Sequence, residues 1–247
     1  MTTITFPGGA TAQVVEVGTA VGGEELLAAL GVPRPRGTVV FNGSAAHLDR
    51  GLSDRVSAVV GLDGLAGTAG REGLTTVTGG TDAGIFSILG EAIWDCPEPV
   101  IGVAPGPLVT WPGRAPADDG GDRVPLEPHH SHFVLVDGHH WGDETPALLA
   151  LARALGRQAP SVAVICGGGP VTRKEVLGHV RDGRPVIVLG GSGRFADELA
   201  ATVAGSPGGD LHEETAEVVA SGRVTVCAMD DGGPALGRAV VAALWPG

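Results

Sequence analysis

Two unbroken apolar runs, Val162-Ala163-Val164-Ile165 and Val186-Ile187-Val188-Leu189, constrain this fold more than any other feature. A strand with one wet face alternates apolar and polar residues; a strand covered on both faces has no need to. Each run leads into a glycine turn, Gly167-Gly168-Gly169 and Gly190-Gly191-Ser192-Gly193. Apolar stretches of strand length recur at 37–41, 74–78, 99–104, 131–137 and 223–228. Helix-period segments lie between most of them, at 84–94, 143–155, 172–181, 194–203 and 234–244. This alternation predicts an α/β fold, a doubly wound, mostly parallel, Rossmann-like sheet.

Two stretches depart from the pattern. Ile4-Thr5-Phe6 and the run 12–17, separated by Pro7-Gly8-Gly9, predict an N-terminal β-hairpin on an edge of the sheet, within an appendage spanning 1–36. The segment 105–128 holds six prolines and an Asp118-Asp119-Gly120-Gly121-Asp122 cluster, which predicts an irregular loop, either a surface insertion or a lid. At 247 residues the chain fits one domain over 1–247.

Charge narrows the partners. The net charge is −12, and Lys174 is the sole lysine in the sequence. No basic stripe is available to displace counterions from a polynucleotide, which argues against nucleic acid. A small anion needs only local arginines and N–H groups. No apolar run reaches the roughly 20 residues that span a bilayer. The N-terminus lacks the charged start and apolar core of a secretory signal. The expectation is a cytoplasmic protein without membrane insertion. Cys96, Cys166 and Cys227 form no CxxC pair, so zinc and disulfide frameworks are not indicated.

The chemistry concentrates in glycine turns that leave a strand and open a helix. Such a turn aims backbone N–H groups and a helix dipole at an anion. Thr78-Gly79-Gly80-Thr81-Asp82-Ala83-Gly84 is one, with the Thr81 hydroxyl beside it. Cys166-Gly167-Gly168-Gly169-Pro170-Val171-Thr172 is a second, with Thr172 as a candidate helix cap. Gly190-Gly191-Ser192-Gly193-Arg194 is a third; Arg194 can fork onto a phosphate. Phe41-Asn42-Gly43-Ser44 is a weaker fourth. In an open parallel sheet all four share the carboxyl edge of the strands. Together they point to a nucleotide-sized ligand and no required cofactor.

Other motifs give less. Gly191-x-Gly193-x-x-Ala196 fits a dinucleotide fingerprint, but the acid expected about 20 residues on is absent, as the next run ends near Asp230. His129, His130, His132, His139 and His140 invite a metal reading, yet no carboxylate completes a set at ligand spacing, and bonds to backbone are the expectation. His139-His140 is expected in an exposed turn. Ser192 lacks the Gly-x-Ser-x-Gly spacing of a nucleophile elbow. Trp141-Gly142-Asp143-Glu144 opens a helix, with Trp141 able to stack on a base and Glu144 able to bond a ribose or cap the helix.

Taken together, several phrases resemble the SLOG superfamily, in the branch found at the N-terminus of TRPM cation channels and in stand-alone prokaryotic relatives. They are Thr78-Gly79-Gly80-Thr81-Asp82-Ala83-Gly84, Glu127-Pro128-His129-His130-Ser131-His132-Phe133, Trp141-Gly142-Asp143-Glu144, Gly168-Gly169-Pro170 and Gly191-Ser192-Gly193-Arg194. The resemblance covers roughly 37–245. It implies a modified Rossmann fold that in some channels binds ADP-ribose-type nucleotides. By position, Gly79, Gly80, Thr81, Gly168, Gly169, Gly191, Ser192, Gly193 and Arg194 would line the phosphates. Trp141 stands where ligand-binding channels place an aromatic against the base. Those channels carry an arginine seven residues later, where this chain has Leu148.

The superfamily also holds LOG-like enzymes that cleave nucleoside monophosphates to base and ribose phosphate, with the signature Pro-Gly-Gly-x-Gly-Thr-x-x-Glu. Gly167-Gly168-Gly169-Pro170-Val171-Thr172-Arg173-Lys174-Glu175 keeps two glycines, the threonine and the acid, but not the proline or third glycine. In that alternative Glu175 would be the catalytic residue, stabilising an oxocarbenium-like ribosyl centre; otherwise it is a first-turn helix acid facing the dipole. Those enzymes also use an upstream arginine, for which 138–166 offers Arg153 and Arg157. The sequence leaves open a homo-oligomer and a separate effector or channel protein as partners.

Overall fold

The computed structural model describes residues 1–45, 48–94, 96–114, 122–206 and 212–247. The chain opens with strands β1 (Thr2–Thr5) and β2 (Thr11–Val17), then helix α1 (Gly23–Leu30). Next come β3 (Gly37–Gly43), α2 (Arg50–Val60), α3 (Leu65–Glu72), β4 (Leu74–Thr78), α4 (Gly84–Ile93) and β5 (Val100–Pro105). Two short strands follow, β6 (Val109–Thr110) and β7 (Val124–Pro125), and then β8 (His132–Val136) and α5 (Thr145–Gln158). The remainder alternates: β9 (Ser161–Cys166), α6 (Pro170–Arg181), β10 (Val186–Gly190), α7 (Arg194–Val203), α8 (Glu213–Ala220), β11 (Val224–Ala228) and α9 (Gly233–Leu244).

One nine-stranded sheet runs in the order β1-β2-β8-β5-β4-β3-β9-β10-β11. Every pairing in it is parallel except β1 with β2. The fold is therefore α/β and Rossmann-like, with the N-terminal hairpin attached through β2 to β8. The apolar runs explain the two-sided cover. Val40, Ala163, Ile165, Val186 and Val188 pack with α1, α5, α6, α7 and α8 on one face. Val39, Phe41, Val162, Val164, Ile187 and Leu189 pack with α2, α3, α4 and α9 on the other. Alternate residues of one strand thus enter opposite cores, and all of them are buried.

The chain builds β3, β4, β5 and β8 outward in one direction, then crosses back to lay β9, β10 and β11 on the other side of β3. The reversal lies between β3 and β9, and an open α/β sheet binds ligands in the crevice outside such a point.

Some expectations are corrected. The segment 105–128 is not wholly irregular: a 3₁₀ turn at Gly106–Leu108 and the β6–β7 pair order its described parts. Leu126 is buried and bridges Thr81. The centre of the acidic cluster, Asp118-Asp119-Gly120-Gly121, lies outside the described residues, and with it the lid idea. Helices α1, α2, α3 and α8 were not anticipated by the periodicity.

Candidate functional site

The four glycine turns follow β4, β3, β9 and β10, which are four adjacent parallel strands. They stand side by side at the carboxyl edge, astride the reversal point. A cleft of ≈ 450 Å³ opens there, within the roughly 300–1,000 Å³ typical of small-molecule sites. Of the anticipated residues, Gly43, Ser44, Gly79, Thr81, Trp141, Glu144, Gly169, Thr172, Glu175 and Arg194 line it. Gly167, Ser192 and Gly193 line a neighbouring cavity of ≈ 130 Å³ that shares Ser44 and Arg194. Gly80, Gly84, Gly142, Gly168 and Gly191 line neither. A larger depression of ≈ 550 Å³ between α3 and α9 holds none of these residues.

The turns are not equivalent. After β4 the glycines serve packing: a Cβ on Gly80 would sit 2.7 Å from Gly102 Cα, and one on Gly79 2.7 Å from the Phe86 ring. The N–H groups there are largely spent, since Gly80 donates to Thr78 Oγ1, Ile85 to Ser44 O and Phe86 to Ala83 O. After β10 most are spent as well, those of Gly193 and Arg194 excepted. Gly191 N–H goes to Asp197, the Ser192 hydroxyl donates to Leu189 O and accepts from Gly167 N–H, and Phe195 and Ala196 donate to Gly168 O and Gly167 O. Ser192 is thus a strand-to-strand tie, with its hydroxyl committed to backbone.

The β9 turn is more open than these two. Among the described residues no partner is found for the N–H groups of Gly168, Gly169, Val171 and Thr172, which point from the start of α6. Thr172 does not cap that helix; its hydroxyl donates to Gly43 O. The nearest atom to a Cβ on Gly169 would be Arg194 Nη2 at 3.5 Å. Arg194 bonds Ser44 Oγ at 3.2 Å and has no carboxylate in ion-pair range among the described residues. Its φ of 54° places a side-chain-bearing residue in left-handed backbone, a strain that accumulates where a side chain must be aimed. Free N–H donors and one unpaired guanidinium therefore converge on one wall.

The cleft also holds two acids. Glu144 and Glu175 are both buried. Burial raises the Glu175 carboxyl to about 8; the Glu144 charge adds to this and a hydrogen bond from Asn42 opposes it. Burial likewise raises Glu144, whose Oε2 accepts the Gly142 N–H at 2.7 Å and does not cap α5. Thr81 Oγ1 is buried with no partner. Trp141, 47% exposed, stands at the mouth.

Sequence reasoning missed Asn42 as a functional side chain, and with it His179. His179 follows Glu175 by one helical turn on an otherwise apolar face beside Val176 and Val180. A polar pair at that spacing was the available signal. Glu175 itself is no first-turn helix acid: α6 starts at Pro170, which puts it in the second turn, and it lines the cleft. Arg153 and Arg157 pair with Asp182 and Glu24 and do not line the cleft.

The histidine phrase has another role. His129 Nδ1 and His130 Nδ1 each lie 2.7 Å from a Glu127 carboxylate oxygen, and His130 Nε2 lies 2.7 Å from Thr78 Oγ1. Their partner is this buried carboxylate rather than the backbone. His139 and His140 lie exposed in a turn, as expected.

A family model described as SLOG in TRPM, prokaryote, matches residues 36–235. The chain belongs to this family. Its SLOG region is also similar to the transient receptor potential cation channel subfamily M member 2 of Mus musculus, 31% identical over 172 residues, and of Rattus norvegicus, 30% identical over 176. A third relative, the subfamily M member-like 2 of Nematostella vectensis, is 28% identical over 170 residues. These matches cover 56%, 57% and 54% of this chain but only 11%, 12% and 11% of the relatives. The SLOG chain thus spans about a tenth of each channel. Among its described residues no helix is long and apolar enough to cross a membrane.

Proposed function

We propose that the cleft binds a phosphorylated ribonucleotide of the ADP-ribose type. The observation that carries this reading is the β9 turn, whose N–H groups without a partner among the described residues lie beside Arg194, which has no carboxylate partner among those residues, in a cleft at the sheet's reversal point. Phosphates would sit on that wall, the base against Trp141, and the ribose near Glu144. Leu148, 1% exposed, lines the cleft where an arginine would add charge, so this site holds fewer cations than such a relative's. The protein would act as a ligand sensor in NAD metabolism, passing its signal to a separate effector or channel protein. The open cleft supports a ligand over a purely structural module. Calorimetric titration with ADP-ribose, cyclic ADP-ribose, NAD and AMP tests the reading: micromolar binding of at least one is expected, and flat responses across the panel reject it.

One observation favours a second reading. A carboxyl held near 8 stays protonated at neutral pH and can give its proton to a departing base. Glu175 would then serve a phosphoribohydrolase that cleaves nucleoside monophosphates. Free base released from AMP, and lost in Glu175→Ala, would favour this enzyme; tight binding without turnover favours the sensor.

A further inference from the structure

At the amino edge of the sheet, away from the cleft, a second pocket of ≈ 480 Å³ opens where α5 and α6 end. Arg184, just before β10, and Ser161, the first residue of β9, form its floor. Arg153 and Arg157 of α5 stand at its rim with Asp182. Three guanidiniums thus share one depression in a chain whose net charge is −12.

Two of the three are neutralised where they stand. Arg153 pairs with Asp182 at 2.8 Å and Arg157 with Glu24 at 2.9 Å. Arg184 is different. It is 4% exposed, and among the described residues no carboxylate lies in ion-pair range of it. Burial lowers the guanidinium to about 10, so it is still charged at neutral pH. A buried arginine is ordinarily paired with an acid.

The bonds of Arg184 fix its position without balancing its charge. Nε donates to Ser161 Oγ at 3.0 Å and Nη1 to His179 Nδ1 at 2.6 Å. Neither acceptor is an anion. Nη2 and the Ser161 hydroxyl proton have no partner among the described residues. None of the three arginines donates to a carbonyl at the end of α5 or α6, so helix capping does not account for them. Gly156 of α5 keeps the two spare donors open. A Cβ there would stand 3.0 Å from Ser161 Oγ and 3.5 Å from Arg184 Nη2. A side chain at this position would cover both donors.

We propose that this pocket binds the carboxylate of a small organic acid, with one oxygen on Arg184 Nη2 and the other on the Ser161 hydroxyl. One unpaired positive charge matches one carboxylate, whereas a phosphate monoester brings about two negative charges. Asp182 is the acid lining the pocket, and Arg153 already holds its charge. The site lies at the opposite end of β9 from the cleft and does not depend on what the cleft binds.

The experiment titrates the full chain with sodium acetate and with sodium succinate. It follows the Arg184 Nε–H signal, assigned through its backbone, by nitrogen NMR. A saturable shift is expected with each acid and none with sodium chloride at matched ionic strength. Gly156→Ala should weaken acid binding at least ~10-fold, the worth of one hydrogen bond to a charged group, and Ser161→Ala should weaken it about as much. No saturable shift with either acid overturns the proposal, as does undiminished binding in a folded Gly156→Ala. Tighter binding of inorganic phosphate than of either acid overturns the choice of carboxylate.

Discussion

Glu127 and Glu175 are both buried glutamates with histidines nearby, and their carboxyls move in opposite directions. Burial raises both. At Glu127 the hydrogen bonds and charge of His130 and His129 outweigh burial and bring the carboxyl below its ordinary value. At Glu175 the nearest histidine lies behind an amide and is occupied by an arginine, so it lends no charge. The Glu144 carboxyl then pushes the same way as burial. The contrast matches location. Glu127 sits against Gly90 of α4 and, through His130, ties Thr78 of β4; it belongs to the frame. Glu175 faces open space. Residue type alone does not separate an anchoring acid from a poised one; the partners do.

The largest effect should follow from Glu127→Gln, which leaves His129 and His130 without their carboxylate. A loss of about 3 kcal/mol is expected in urea unfolding at pH 7. Because the folded carboxyl is depressed, its stabilising share is present above the ordinary carboxylate range and lost on acidification. The variant should lose that acid-side slope; an unchanged acid limb would show that the histidines do not hold the charge.

Glu175→Gln should do the reverse. A carboxyl raised from 4.5 to about 8 leaves stability intact below 4.5 and lowers it as pH climbs toward 8, where the loss levels off. Replacing it should therefore stabilise the protein more at pH 8 than at pH 5. Thermal unfolding at pH 5 and pH 8 measures this, and equal stability changes at both pH values would contradict it.

Arg194→Ala should leave unfolding free energy within about 0.5 kcal/mol and weaken ADP-ribose binding ~10-fold, the worth of one charge-assisted contact. Full affinity in the variant would remove the phosphate wall from the reading. The smallest change should come from Gly169→Ala. Its φ of −150° suits alanine and its surroundings are open, so stability should stay within about 0.5 kcal/mol. Any effect should appear in nucleotide affinity, measured by the same titration.

Much of this is legible in the residues. Strand β9 and helix α7 fall where the apolar runs place them, and the glycine turns mark the carboxyl edge of the sheet. The helices that escape notice do so for local reasons. α3 carries Gly67 and Gly70, poor helix formers, yet a Cβ on Gly67 would fall 1.6 Å from Leu62 O, so packing requires that glycine. α2 does carry a start signal, Asp49 accepting the Leu52 N–H. The contact between Asn42 and His179 is beyond reach, because they are 137 residues apart and meet only in the folded sheet. Likewise, four similar glycine turns cannot reveal which have already spent their N–H groups on one another.

The placement of β2 has a practical consequence. Residues 36–235 match the family, but β2 pairs with β8 along five residues, and Leu26, Leu27 and Leu30 of α1 lie in the core beside α5. A shortened version cut at the family boundary would bare the hydrogen-bonding rim of β8 and a leucine-lined flank together. Exposed rims of this kind recruit other chains. Recombinant production should therefore keep the leading segment, since its removal invites clumping long before any ligand can be tried.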